Sequence, residues 1–321
     1  MTGNTTSEKF FLRNVIGDYM RNIGQADCRV IIVNADLMRT CRNEEFVRKY
    51  PQRAFNVGIA EQNMVSFAAG LACEGFLPYV FSMAPFISMR ACEQCRTDVA
   101  YGNRNVRLIG VYAGVSGGIS GATHWALEDC GIMTAIPGMT VMELSDPAQT
   151  RAILDLSLTV EGPMYLRCGI EPVAALYPSE TSVCVGGSRM IHPGNDGAIL
   201  CAGVTVQYAL EAARHIEEKT GKHIRVVDLY SIKPIDTERV IEAARTGTVV
   251  VAQDHNIIGG LGSAVAQVIA ESGLSPRFRI LGVPDRFVPM AHADYLYHDF
   301  GYDAQGIEAC VIQLLEEAGT R

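Results

Sequence analysis

The chain has 321 residues, of which 48% are apolar and 19% are charged, and its formal net charge is −8. This composition excludes a disordered chain, and the acidic balance without a block of Lys or Arg argues against binding to nucleic acid or to an anionic membrane surface. No apolar run reaches the roughly 18 residues of a membrane span, and the polar N-terminus MTGNTTSEKFF lacks a signal-peptide pattern, so we expect a cytoplasmic protein.

At about 150 residues per domain, this length predicts two domains. In the first part of the chain, short apolar strand-like runs alternate with helix-like runs. The predicted strands are 30–33, 76–81, 106–111, 140–143 and 164–167, and the predicted helices are 7–23, 61–74, 86–101 and 147–160. Such alternation predicts an open, mainly parallel sheet with helices on both faces.

Proline and glycine interrupt this pattern over residues 171–196, which we interpret as a linker with room for a short strand pair. A second α/β series follows it. Its predicted strands are 197–202, 224–229, 248–252 and 279–281, and its predicted helices are 206–220, 237–245 and 262–271. The fold class is therefore α/β, with predicted domains at 1–175 and 196–321 and a linker at 176–195.

The ten cysteines are scattered and lie mostly in apolar contexts. Cys92 and Cys95 form one CxxC, but no second pair follows at the spacing of a zinc site. We therefore expect reduced core cysteines and no metal site within this chain.

Glu61 is the first residue with potential chemistry. It opens a helix that is apolar nearly all round, which would bury the carboxyl. A buried carboxyl is costly unless it has a specific partner, so a functional role is open to it. The structural alternative is a helix-start glutamate that only meets the helix dipole.

Two glycine-containing segments follow strands. The segment GVSGGISGATH, residues 114–124, has four glycines that let the backbone approach a ligand, and it ends at His124. It lacks GxGxxG spacing, so His124 is open to either ligand contact or loop packing. The segment DHNIIGGLGS, residues 254–263, lies between a strand and a helix, where a tight turn is favoured over a dinucleotide site.

These motifs carry a family resemblance. The first domain resembles the pyrimidine-binding domain of transketolases in NVGIAEQNMVSFAAGLA, FLPYVFSMAPFISMR and GISGATHWALEDCGIMTAIPGMTV. The second resembles their C-terminal domain in DLYSIKPIDTERVIEAARTGTVVVAQDHNIIGGLGSAVAQVIAE. The whole chain is similar to the C-terminal half of a split transketolase, in a branch that includes deoxyxylulose phosphate synthases and the β subunits of 2-oxo acid dehydrogenases.

The resemblance implies thiamine diphosphate as cofactor and a second chain as partner. In this family a preceding domain binds the diphosphate through Mg²⁺ with a GDG motif, and this sequence contains no GDG. We therefore expect an N-terminal, diphosphate-binding subunit to supply the Mg²⁺ site. Because pyrimidine domains of the family pair with each other, we also expect a complex with two chains of each kind, acting on sugars.

Cofactor contacts also follow from the resemblance. Glu61 matches the glutamate that hydrogen-bonds the aminopyrimidine ring, and Phe86 matches the aromatic residue that stacks on that ring. Met83 stands where a second aromatic residue is usual. The resemblance also implies a place for Asp36 in the cofactor site, and the spacing from Arg13 to the Asp36-Leu37 motif agrees with that of the family. Ordinary core packing is the structural alternative for Phe86 and Met83.

Substrate contacts are implied in the same way. His124 matches a catalytic histidine that contacts substrate hydroxyls. Arg13, Thr40 and Arg167 fall where the family places ligands for a sugar-phosphate tail, the structural alternatives being a solvated helix arginine, a loop threonine and a strand-end arginine.

Two departures from the family pattern concern the substrate. Ser120 replaces the acidic residue expected before Gly121, and Tyr112 replaces a histidine expected twelve positions before His124. Losing a cation near the tail favours a non-standard sugar or a monoanionic tail such as a sulfonate.

The sequence thus predicts a transketolase subunit that moves a two-carbon ketol unit from a ketose to an aldose. A β subunit of a 2-oxo acid dehydrogenase, a deoxyxylulose phosphate synthase-like enzyme and a non-catalytic assembly subunit remain as alternatives.

Overall fold

A computed structural model describes residues 8–319, so the outer ends of the predicted domains, residues 1–7 and 320–321, lie outside the described residues. Its strands are β1 (Lys9–Phe10), β2 (Val30–Asn34), β3 (Ala54–Asn56), β4 (Leu77–Met83), β5 (Arg107–Val111), β6 (Thr140–Glu143), β7 (Met164–Cys168), β8 (Val173–Ala174), β9 (Arg189–His192), β10 (Gly197–Cys201), β11 (Ile224–Asp228), β12 (Ser231–Lys233), β13 (Thr248–Asn256) and β14 (Arg277–Val283). Its α-helices are α1 (Leu12–Ala26), α2 (Glu44–Lys49), α3 (Glu61–Cys73), α4 (Cys92–Gln94), α5 (Asp129–Ala135), α6 (Pro147–Ser157), α7 (Thr205–Thr220), α8 (Thr237–Ala244), α9 (Leu261–Ser272), α10 (Ala293–Asp299) and α11 (Ala304–Gly319). Between residues 8 and 319, no helix is both long and apolar enough to span a lipid bilayer.

The first sheet has seven strands in the order β12-β6-β7-β5-β4-β2-β3. All neighbouring pairs are parallel except β12 with β6. Strands β2, β5 and β7 are buried along their whole length, as expected of strands covered by helices on both faces. The predicted, mainly parallel sheet is confirmed. Its edge strand β12, however, comes from the second half of the chain.

The second sheet has five strands in the order β14-β13-β10-β11-β9, with only β9 antiparallel to its neighbour. Helices α7 and α11 pack on one face, and α8 and α9 pack on the other. Alternate residues of β10 enter these two cores, because successive side chains of a strand point to opposite faces. The α/β class is confirmed for this part as well.

Two short strands, β8 and β9, lie within residues 171–196, the stretch in which the sequence leaves room for a short strand pair. Strand β8 pairs with β1, and β9 pairs with β11 of the second sheet. The two strands therefore pair with other parts of the chain and not with each other. The domain limits at residues 175 and 196 stay a prediction.

Several predicted elements differ from the structure. The helix over 86–101 is interrupted at Ala91 and contains two π-helical turns, Phe86–Arg90 and Cys95–Ala100. Strand β13 continues to Asn256, past its predicted end at residue 252. The first helix begins at Leu12 and not at Ser7, a residue outside the described range.

Buried hydrogen bonds connect the two sheets at the end of β11. Asp228 accepts hydrogen bonds from the hydroxyls of Ser145 and Tyr177, the latter at 2.8 Å. Burial raises the pKa of Asp228 to about 7, the two hydrogen bonds oppose this shift, and the nearby carboxylates of Glu143 and Asp146 add to it. Ionisation of Asp228 therefore costs the folded state free energy.

The stability of the chain should consequently decrease as the pH rises towards the pKa of Asp228. An unfolded chain loses this proton near pH 4, whereas the folded chain keeps it until about pH 7. Because the folded state binds more protons between these values, the free energy of unfolding falls with rising pH, by at most about 1.4 kcal/mol per pH unit for one carboxyl. We expect Asp228→Asn to gain stability relative to the wild-type chain between about pH 5 and pH 8 in urea unfolding. A constant difference over that range would contradict this prediction.

Candidate functional site

Glu61 lies at the start of α3 and is 1% exposed, so its predicted burial is confirmed. The loop from β3 delivers it to the carboxyl-terminal edge of the first sheet, where parallel α/β sheets place ligands. Arg90 donates to Glu61 Oε2 at 2.7 Å, and Ser82 donates a long hydrogen bond of 3.4 Å to Oε1. A ligand that hydrogen-bonds this carboxyl must therefore join or replace Arg90.

Phe86 and His124 lie next to this carboxyl. The Arg90 guanidinium stacks over the Phe86 ring at 4.3 Å from its centroid, within the range of a cation–π interaction. The Phe86 and His124 ring centroids are 5.5 Å apart in an edge-to-face arrangement. Through Arg90, the structure thus brings three predicted residues, Glu61, Phe86 and His124, into one neighbourhood. Met83 ends β4 and packs, half-buried, against the core of the first domain.

The segment Gly114–Gly121, here called the glycine loop, leads from β5 to His124. Ser120 is exposed on it, and the His124 amide donates to the Gly121 carbonyl at 2.9 Å. The Nδ1 atom of His124 is hydrogen-bonded to the Thr123 hydroxyl at 2.9 Å. That bond orients the imidazole and leaves Nε2 for another partner.

Tyr112 precedes the loop with a φ of 63°, an uncommon conformation for a bulky residue. Its ring packs against Gly117, where an added Cβ would lie 2.6 Å from Tyr112 Cε1. Tyr112 therefore supports the glycine loop in this structure.

Arg13 and Thr40 meet at the same end of the sheet. The Nη1 atom of Arg13 donates to the Thr40 carbonyl at 3.5 Å, and its Nε is buried without a partner. Burial raises the pKa of Cys168 to about 12, and the positive charge of Arg13 opposes that shift. Arg13 therefore lies close to the end of β7 with donor capacity that the protein does not use.

Asp36 lies on the loop after β2, exposed and with a φ of 59°. Its amide donates to Asn56 Oδ1 at 3.0 Å, and Asn56 Nδ2 donates to Asp36 Oδ1 at 3.1 Å. Asn56 Oδ1 also accepts from the Gly58 amide at 3.0 Å. Asn56 thereby ties the Asp36 loop to the loop that precedes Glu61.

The position of Arg167 differs from its predicted place among the ligands of a sugar-phosphate tail. Arg167 is fully buried and donates to the carboxylates of Asp129 (2.9 Å) and Glu143 (2.5 Å). Its Nη2 donates to the carbonyls of Ala126 and Asp254. Although burial opposes the charge, the two carboxylates hold the pKa of Arg167 well above its usual value. Because its donors are engaged inside the protein, the structure does not place Arg167 among ligands for a sugar-phosphate tail.

A buried histidine adjoins this ion pair. Nδ1 of His255 is bonded to the Asn256 carbonyl at 2.8 Å, and Nε2 lies 3.8 Å from Asp129 Oδ1. Asp129, Cys130 and His255 bring potential metal ligands within 4.8 Å of one another. Since Arg167 is hydrogen-bonded to the same Asp129 carboxylate, a metal cation there would face an existing positive charge. Burial lowers the pKa of His255 to about 4, in keeping with a neutral ring.

Two residues of the site have no role in the sequence-based prediction. Arg90 follows Phe86 by one helical turn, a spacing that places both on one face and is visible in FISMR. Asp254 contacts the glycine loop from the second domain. Sequence spacing carries no signal for a contact between residues so far apart in the chain.

Models of known protein families match both parts of the chain. Residues 8–169 match the model "Transketolase, pyrimidine binding domain", and residues 186–307 match "Transketolase, C-terminal domain". The 6-deoxy-6-sulfo-D-fructose transketolase subunit SqwH of Clostridium sp. (strain MSTE9) is 37% identical over 98% of this chain and 97% of its own length. One of the apulose-4-phosphate transketolase subunits of Phocaeicola vulgatus is 32% identical over 95% of this chain and 97% of its own.

A solved structure agrees with these matches. It is described as a split gene transketolase, inactive beta4 tetramer, and is 35% identical to this chain. The TM-score is 0.86, with 96% of this chain and 99% of that chain covered. The predicted resemblance is therefore confirmed over nearly the whole sequence.

Proposed function

The chain belongs to the transketolase family, and on that premise we propose that it is one subunit of a two-chain enzyme that transfers a two-carbon ketol unit from a ketose to an aldose. The observation that carries this proposal is the grouping of the buried Glu61 carboxyl with Phe86 and His124 around Arg90.

The residues of this group fit thiamine diphosphate. Glu61 offers a water-shielded carboxyl to a ring nitrogen, and the half-buried Phe86 ring already stacks against one planar group, the Arg90 guanidinium. When bound, the cofactor supplies the nucleophilic carbon and the electron sink for carbon–carbon cleavage and formation. Glu61 then holds or shares a proton at one carboxyl oxygen, and Phe86 orients the pyrimidine. Asp36 and Met83 remain proposed contacts of the same site.

Substrate hydroxyls are assigned to His124 and Ser120. The Thr123 bond fixes Nδ1 of His124 and leaves Nε2 to donate to or accept from a sugar hydroxyl. Ser120 is exposed on the same loop and offers a neutral hydroxyl where the family pattern has a carboxylate.

The anionic tail of the sugar is assigned to Arg13, Thr40 and Tyr112. Arg13 retains unused donors, whereas Arg167 is engaged in its buried ion pair. One guanidinium can bind two oxygens of an anion side by side, and this suits a monoanionic sulfonate as well as a phosphate. The two relatives are named for a sulfonated sugar and for a sugar phosphate, so both tails are proposed.

Exposed apolar side chains around the site support a partner subunit. Ile59 in the loop before Glu61, Met89 beside Arg90 and Ile119 on the glycine loop are 77%, 47% and 67% exposed. A covering chain would bury these three side chains. We propose that this chain supplies the diphosphate and Mg²⁺ site, in a complex with two copies of each chain. All ten cysteines are free, in keeping with a reducing, cytoplasmic setting.

Ketol transfer should be measured with the chain alone and with its co-purified partner, with thiamine diphosphate and Mg²⁺ present. Donors should include a ketose phosphate, a sulfonated ketose and a 2-oxo acid. Activity with ketoses only in the complex would support the proposal. Activity with the 2-oxo acid alone would favour a dehydrogenase or synthase reaction instead, and inactivity with every donor would favour an assembly subunit.

A further inference from the structure

We propose that Asp254, in the second domain, is a positioning residue that holds the glycine loop and thereby sets His124 for contact with the substrate. This inference rests on the proposed function, since His124 acts on a sugar only if ketol transfer takes place. It gives the second domain a direct part in the chemistry of the first.

The Asp254 carboxylate is buried and accepts three hydrogen bonds. Its Oδ1 atom accepts from the backbone amide of Val115 at 2.9 Å and from the hydroxyl of Tyr302 at 2.9 Å. Its Oδ2 atom accepts from the hydroxyl of Tyr297 at 3.2 Å. The two tyrosines belong to the second domain, so they fix the carboxylate in the direction of the loop.

The backbone of the glycine loop is shaped to receive this carboxylate. Gly114 has a φ of +68°, and an added Cβ there would overlap the Asp254 carboxyl. Only glycine adopts this conformation readily and also leaves room for the side chain. The contact between Asp254 and Val115 thus depends on a bare backbone at the start of the loop.

Hydrogen bonds join the two ends of the segment that contains the glycine loop and His124. Gly114 and Ala126 exchange backbone hydrogen bonds of 3.0 and 3.1 Å, which closes the segment that contains His124. Arg167 donates to the carbonyls of Ala126 and of Asp254 at 3.1 and 2.7 Å. Between these fixed ends, Ser120 and Thr123 are exposed. Releasing Asp254 therefore frees the base of a segment whose tip carries the substrate contacts.

The Asp254 carboxylate is the one acceptor that these three donors share. Burial raises the pKa of Asp254 to about 6, while the Val115 amide and the Tyr302 hydroxyl lower it. An apolar residue in its place would leave the Val115 amide and the two tyrosine hydroxyls without this acceptor. What the carboxylate adds is an acceptor with a fixed direction for the Val115 amide.

The test compares Asp254→Leu with Asp254→Asn in the assembled complex. Leucine removes the acceptor, whereas asparagine keeps an oxygen for the Val115 amide. We expect the leucine variant to lower kcat/KM for the sugar by about tenfold to 100-fold, as misplaced reacting groups do, with the affinity for thiamine diphosphate unchanged. The asparagine variant should stay within about threefold of the wild-type enzyme, a difference of under 1 kcal/mol.

Hydrogen exchange of residues 114–124 gives a readout that does not depend on activity. The Val115 amide should exchange faster in Asp254→Leu and remain protected in Asp254→Asn. Asp228→Leu is the matched control, because Asp228 is equally buried and also joins the sheets but contacts Ser145 and Tyr177, away from the loop. It should lower Tm without changing loop exchange or kcat/KM.

Other results would overturn the inference. These are unchanged loop exchange in Asp254→Leu, or kinetics that match those of Asp228→Leu. Should the leucine variant fail to fold, the double variant Tyr297→Phe with Tyr302→Phe decides, because it removes the two hydroxyls that fix the direction of the carboxylate. Faster loop exchange there supports the inference, and unchanged exchange contradicts it. If the wild-type complex transfers no ketol unit at all, the proposed function fails, while the exchange data still report whether Asp254 holds the loop.

Discussion

Replacing Glu61 with glutamine should reduce ketol transfer by the assembled complex about 100- to 10,000-fold, the usual contribution of a group that handles a proton in catalysis. The Glu61 carboxyl is buried and can hold or release a proton at the cofactor ring, whereas an amide cannot. Glutamine has nearly the same size and can still accept the hydrogen bond from Arg90. The fold should therefore persist while turnover is lost.

Turnover at saturating thiamine diphosphate, together with Tm, separates these two effects. Glu242→Gln is the control, because Glu242 is also paired with an arginine, Arg239 at 2.7 Å, but on the surface of the second domain. It should leave turnover unchanged. Near-native turnover of Glu61→Gln would remove Glu61 from the mechanism.

Replacing Arg167 with methionine should destabilise the chain by about 3–5 kcal/mol, as expected when one partner of a buried ion pair is removed. Asp129 and Glu143 would then remain buried without the guanidinium that neutralises them. Burial already raises the pKa of Glu143 against the opposing effect of Arg167. The free energy of unfolding from urea titrations measures the loss.

The control for this variant is Arg239→Met. Arg239 forms a partly exposed ion pair, and such pairs contribute about 0–1 kcal/mol. A rise in KM for the sugar with unchanged stability in Arg167→Met would restore Arg167 as a substrate ligand. Adding Asp129→Asn and Glu143→Gln to Arg167→Met should recover part of the stability, because no uncompensated charge would then be buried.

The sequence predicts the layered architecture well, because fully buried parallel strands leave continuous apolar runs. Strand β6 coincides with its prediction, and β2 extends the predicted run by a single residue, Asn34. The sequence also identifies Glu61 correctly as buried, since the apolar surroundings of α3 are local and visible. Elements with a regular period are therefore recovered within a few residues.

Features that depend on contacts distant in sequence are not recovered. Arg167 looks like a strand-end arginine, and its enclosure by Asp129, Glu143 and the Asp254 carbonyl appears only when the two domains meet. The segment from Phe86 to Ala100 likewise has the composition of an ordinary helix, so its π-helical turns are not visible in the sequence. Helices α10 and α11 lie beyond the last predicted strand, in residues to which the sequence analysis assigns no element.

Because strand β12 comes late in the chain, the first sheet can be completed only late in synthesis. Strand β12 pairs with β6, so that sheet gains its outermost strand only when residues 231–233 have been made. Until then β6 is an open edge with unpaired backbone groups, the kind of surface through which nascent chains associate wrongly. A fragment that ends at the linker would keep that edge permanently. The two halves of the chain are thus joined through one shared sheet.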